Sequence, residues 1–225
     1  MTYLDVFLCC LILATIVWAK CGLLFMWLRT KYFGKRKLFA APAGTPCGGA
    51  IYAFTKGMMP WAKESVREHL LSYALGIAYH AGIFTALVVL VMYTVGSYWP
   101  AIRNIPAIFI YIIIPLLLIA GAIGGISLFI KRLLDATLRG ISCPDDYISN
   151  FMATTFTALA LASLIMQRLW VSRLWFVSAI ILFAYIPFSK IRHCLFFFIT
   201  RYNFGAFFGY RGCMPPNRDN GCKLF

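Results

Sequence analysis

Five uninterrupted apolar runs, each about as long as a bilayer is thick, constrain this chain more than any other feature. A helix needs roughly 20 apolar residues to cross a hydrocarbon core of about 30 Å. Runs of that length lie at about residues 4–28, 71–95, 105–130, 149–167 and 174–199. Together they take up most of the 225 residues, and what remains is too little for a separate soluble core. Composition agrees, at 62% hydrophobic and 12% charged residues, where a soluble domain carries about 25% charged residues. The predicted fold is all-α, a polytopic bundle of five transmembrane helices spanning residues 1–200 with a tail at 201–225. The first run is long, lacks a basic leader and leads directly into basic residues, so it reads as a retained anchor and not a cleaved signal.

The connections between runs carry helix-breaking or helix-starting residues. "GSYWPAIRNIP" joins the second and third runs, and its prolines and Gly96 interrupt helix. "CPDDYISN" opens the fourth. Pro144 suits a first helical turn, and Asp145 and Asp146 lie where the helix dipole favours negative charge. No internal repeat or low-complexity segment occurs.

Lysine and arginine then set the orientation. Seventeen of them fall on one side: eight between Arg29 and Arg67, then Lys131, Arg132 and Arg139, then six from Lys190 onward. Only Arg103, Arg168 and Arg173 fall on the other, and Lys20 lies inside the first run. The N-terminus is predicted outside and the C-terminus in the cytoplasm, in the inner (cytoplasmic) membrane of a cell. The net charge of +14 follows from this topology and from contact with anionic lipid headgroups. No nucleic acid is needed to explain it.

The chain has three histidines, His69, His80 and His193. Ionisable groups deep in apolar sequence are costly and mark function by default. His80 lies about 13 Å into the second run from its cytoplasmic end at the helical rise. His193 lies about 9 Å into the fifth. Two antiparallel helices would thus carry imidazoles at similar depth, and Gly76 and Gly82 thin the second helix around His80. Such a pair suits axial coordination of one haem iron. Alternatively, each histidine hydrogen-bonds a neighbouring carbonyl or hydroxyl. Structural zinc fits poorly, because it wants four ligands and only Cys194 is near.

Several other residues have two readings. His69, beside Arg67 and Glu68, is either an interfacial polar residue or a contact for a haem propionate or quinone. Lys20 stands too far from the end of its run to snorkel easily, so it is predicted to face the bundle. There it would meet a propionate, a quinone oxygen or an ordinary polar partner. Gly121, Gly124 and Gly125 form a small-residue pattern suited to helix packing. Trp99, Trp170 and Trp175 read as interfacial aromatics near the outer surface. The eight cysteines form no C-x-x-C or C-x-x-C-H, so neither c-type haem attachment nor a ferredoxin cluster is encoded.

"AYHAGIF" around His80 and "RLW…PFSKIRH" ending at His193 resemble the second and fifth helices of the cytochrome b (gamma) subunit of respiratory nitrate reductases. The resemblance extends to relatives in heterodisulfide-reductase-like and sulfite-reduction-linked membrane complexes, and it covers five helices and nearly the whole chain. In that family a second histidine follows the first by ten residues, and another precedes the last by eighteen. The four ligate two haems. Here Leu90 and Trp175 stand at those two positions, so the resemblance implies a single haem b held by His80 and His193, on the cytoplasmic side. Arg192, adjacent in the same motif, is counted with Gly76 and Gly82 at the haem site.

The resemblance further implies electron transfer between membrane quinone, by expectation menaquinone, and a cytoplasmic-side iron–sulfur subunit. The aromatic, glycine-rich and basic tail reads, by its composition, as a segment that docks a partner or else as one that lies on the membrane surface. A structural reading stands beside electron transfer: a haem-free anchor that tethers a catalytic subunit. A transporter fits less well, since the runs hold few polar groups and no paired broken helices.

Overall fold

A computed structural model of the chain describes residues 2–32, 41–62, 66, 68–96 and 108–215. Met1, residues 33–40 with Lys35–Lys37, residues 63–65 with Lys63, Arg67, residues 97–107 with Trp99 and Arg103, and the last ten residues with Cys222 lie outside the described residues.

Five helices are long and apolar enough to cross a membrane, over Tyr3–Thr30, Leu70–Thr94, Phe109–Leu134, Pro144–Met166 and Leu169–Phe188. The chain is therefore an all-α, multi-pass membrane protein, and the described residues contain no strand. In order, the helices are α1 (Tyr3–Tyr32), a short α2 (Pro46–Phe54), α3 (Leu70–Gly96) and α4 (Ile114–Leu134). They continue with α5 (Ala136–Ile141), α6 (Pro144–Met166), α7 (Leu169–Tyr185) and α8 (His193–Tyr210). A π turn at Phe109–Ile113 leads into α4.

The chain divides into two compact units, the first of Met1–Gly22 and Leu71–Ile191, the second of Leu23–Leu70 and Arg192–Phe225. In the first unit, Leu8, Ile12, Leu90, Leu118, Phe156, Trp175 and Phe176 are among the large members of one buried apolar cluster. Lipid is as apolar as leucine, so association here depends on close packing and polar contacts more than on a hydrophobic drive. The glycines permit that approach. A Cβ added to Gly82 of α3 would lie 2.5 Å from the Cα of Gly121 on α4, so the two backbones touch where neither carries a side chain. Across α6 and α7, the Ser163 and Ser172 hydroxyls are bonded at 2.7 Å. Trp18 of α1 donates its indole N–H to the Ala184 carbonyl of α7 at 3.3 Å.

In the second unit α2 packs along α8 through glycine on glycine. Cβ atoms added to Gly205 and Gly209 would lie 2.6 Å from Gly49 O and 2.5 Å from Thr45 O respectively. Arg201 of α8 ties down the end of α2, donating Nε to Ala53 O and Nη2 to Gly57 O, both at 2.8 Å.

Three sequence expectations need correction. The fifth run, predicted as one helix over 174–199, is broken: α7 ends at Tyr185, two 3₁₀ turns follow, and α8 starts at His193. Pro187 cannot donate into the ladder, Ser189 is extended, and its hydroxyl takes the Ile191 N–H at 3.2 Å. Apolarity continues across this stretch while the backbone does not. Next, the tail predicted from residue 201 without helical character is helical to Tyr210 and is half of the α2–α8 pair. Finally, Trp175, predicted as an interfacial aromatic, is 1% exposed in the core, whereas Trp170 is 60% exposed.

Candidate functional site

The rotation of α3 decides where His80 points. Tyr79 is buried, and its hydroxyl donates to the Asn150 carbonyl of α6 at 3.1 Å. Its ring fits against Gly125 of α4, where a Cβ would come within 2.7 Å of Cε2. Gly82 faces α4 as well. With Tyr79 and Gly82 both turned inward, His80, one residue and about 100° onward, emerges on the exposed side of the helix.

There its Nδ1 lies 2.7 Å from the Gly76 carbonyl. A carbonyl only accepts, so Nδ1 is the donor, and a neutral ring in this arrangement has its lone pair on Nε2. That is the tautomer a metal ligand requires, and it is commonly fixed by such a backbone bond. Gly76 has nothing within 4 Å of where a Cβ would stand. The two glycines expected to thin the helix thus differ: Gly76 borders open space, and Gly82 is used up in the contact with α4.

His193 is the first residue of α8 and exposed. Its depth was predicted from a continuous fifth helix, and that basis is corrected: the apolar span ends at Phe188. His80 belongs to the first compact unit and His193 to the second. His69 is exposed in the turn before α3. Lys20, predicted to face the bundle, is on the exposed side of α1, because its neighbour Ala19 occupies the packed face. Arg192 lines an open pocket of about 360 Å³ in the second unit with Met26, Arg29, Thr30 and Phe196.

Leu90 and Trp175, where the two-haem family has ligands, are 2% and 1% exposed and share the core cluster. Trp175 lies against Phe156 with ring centroids 6.1 Å apart and meets Tyr93 edge-on at 6.3 Å. Its indole N–H has no hydrogen-bond partner among the described residues.

Two polar constellations escaped the sequence reading. One joins α4, α6 and the broken segment after α7. Asp145 accepts from the Tyr185 hydroxyl at 2.5 Å and the Lys190 backbone N–H at 2.7 Å. Asp146 accepts from the Cys143 N–H at 2.9 Å, closing the helix start predicted at "CPDD", and pairs with Arg132 at 3.0 Å and Lys190 at 2.6 Å. The Asp146 carboxylate holds the exposed Lys190 ammonium above its ordinary pKa. This clasp fixes the backbone three residues before His193. The signal was present in "PDD" and "PFSK", but nothing local pairs them across 44 positions.

The other constellation is at the start of α1 and α7. Arg173 donates Nε to Asp5 at 2.9 Å and Nη2 to the Thr2 hydroxyl at 3.0 Å. These residues border a cavity of about 270 Å³ that Tyr93, Leu169, Ser172 and Phe176 complete.

The described cysteines are unbridged, and the described residues hold no cluster of three or more His, Cys, Asp or Glu placed for a metal ion. A bis-histidine iron site asks for two ligands only. No family model, no curated protein and no solved structure matches the chain.

Proposed function

We propose that this chain is the membrane haem b subunit of a quinone-linked oxidoreductase of the cell inner membrane, with His80 and His193 as the axial ligands of one haem. The observation that carries the reading is the Nδ1 bond of His80 to the Gly76 carbonyl, 2.7 Å long. It holds a proton on Nδ1, the arrangement in which a neutral ring carries its lone pair on Nε2, on an exposed helix face next to open space at Gly76. The residues present fit the group at that position. The motifs "AYHAGIF" and "PFSKIRH" add the second ligand.

Bound haem would supply one-electron chemistry, accepting and passing electrons singly between a quinol and an iron–sulfur centre. The protein's part is to hold and orient. Tyr79 and Gly82 set the rotation that presents His80, and Asp145 and Asp146 anchor the segment leading to His193. The basic excess lies on the side predicted to be cytoplasmic, where an acidic iron–sulfur partner would be steered. The apolar packing of Leu90 and Trp175 supports one haem and not two.

The test is a reduced-minus-oxidised optical spectrum of the purified chain, with haem quantified after extraction. One b-type haem per chain is expected. His80→Ala and His193→Ala should each abolish it, and His69→Ala should leave it. A featureless spectrum from a folded, haem-supplied preparation would overturn the reading in favour of the haem-free anchor.

A further inference from the structure

The open pocket of about 360 Å³ in the second unit is lined by two arginines, Arg29 from the end of α1 and Arg192 before α8. Neither makes an ion pair among the described residues. Among the described residues, Arg29 approaches the Phe25 ring, at 5.8 Å. Other arginines are committed: Arg132 to Asp146, Arg173 to Asp5, Arg201 to two backbone carbonyls. Two arginines on one pocket can share an anion, and guanidinium forks match phosphate geometry.

The rest of the lining narrows the ligand. Thr30 turns its hydroxyl proton onto the Trp27 carbonyl at 2.6 Å, so the arginines supply the donors. Met26 and Phe196 are half-buried apolar walls, which suits methylene groups and not a freely hydrated ion. Both arginines belong to the basic side of the chain, the side expected to face an anionic leaflet.

We propose that this pocket binds the phosphate of an anionic glycerophospholipid, held between Arg29 and Arg192 with its hydrocarbon against Met26 and Phe196. The site does not depend on the haem reading.

The full chain is purified in detergent and titrated with phosphatidylglycerol or phosphatidylcholine, and bound lipid is counted by native mass spectrometry. Wild type is expected to take up one phosphatidylglycerol in preference to phosphatidylcholine. Arg29→Gln with Arg192→Gln should weaken it about twenty-fivefold, at about a fivefold factor for each arginine near a charged surface. Arg29→Lys with Arg192→Lys keeps the charge and should retain most of the binding. If the double glutamine variant does not run as a single species, Arg192→Gln alone is expected to show the fivefold loss. Three results overturn the proposal. Lys56→Gln with Arg139→Gln, matched in charge, weakens binding as much; millimolar inorganic phosphate displaces the lipid; or the glutamine variant loses haem together with lipid, which assigns the arginines to a cofactor's carboxylates.

Discussion

Replacing Gly82 with alanine separates a packing role from a cofactor role at the heart of the proposed site. Gly82 follows His80 by two residues, and its added Cβ would stand 2.5 Å from the Cα of Gly121. Carbon atoms in contact settle about 3.5–4.0 Å apart, so α3 and α4 must part by about 1 Å or more. The parting would spread along the crossing, because a Cβ on Gly124 would meet the Leu75 carbonyl at 2.7 Å and one on Gly125 the Tyr79 ring. Overpacking of this kind costs about 1–3 kcal/mol. For a chain of this length each kcal/mol lowers Tm by about 2–4 °C, which gives an expected fall of about 2–12 °C. Gly121→Ala meets the same backbone at 2.5 Å and should cost the same. The assay is the surviving monodisperse fraction after heating, run with haem present and with haem withheld. A Gly82→Ala protein as heat-stable as wild type would refute the contact. Loss of haem in Gly82→Ala, with Gly121→Ala unaffected, would return Gly82 to the cofactor.

Asp146→Ala removes a helix cap and two charged partners at once and should destabilise the fold by about 1–2 kcal/mol, read as a lowered Tm. Lys190→Ala, on the exposed side of the same pair, should do markedly less. Trp175→Ala empties the centre of the buried cluster and should cost about 3–5 kcal/mol, whereas Trp170→Ala at the exposed position should stay within about 0.5 kcal/mol; heat-stability assays check both. If the chain docks the proposed iron–sulfur subunit, truncation after Phe204, which deletes Gly205 and Gly209, should release it on affinity purification, while truncation after Pro215 keeps the α2–α8 pair and should retain it. Lys20→Ala or His69→Ala should slow reduction by a menaquinol analogue with haem content unchanged, and normal rates in both would remove the quinone from their vicinity.

Hydropathy over about 20 residues is a local property, and it was enough for the membrane class, the number of spans and the all-α fold. So were the helix start at "CPDD" and the small-residue crossing at Gly121, because each depends on neighbouring residues. What sequence could not determine is the rotation of each helix. A helix apolar all round has no preferred face, so the outward placement of His80 and Lys20 and the burial of Trp175 were decided by tertiary contacts: Tyr79 on Asn150, Gly82 on Gly121, Ala19 in the packed face. The break between α7 and α8 belongs to the same class. Pro187 and Ser189 permit it, but a carboxylate 45 positions upstream takes the Lys190 N–H, and no run of apolar residues records a partner that distant. Outside a regular helix a backbone N–H needs a partner from elsewhere. Which group satisfies it is fixed only when the helices meet, and that settled where the chain turns before His193.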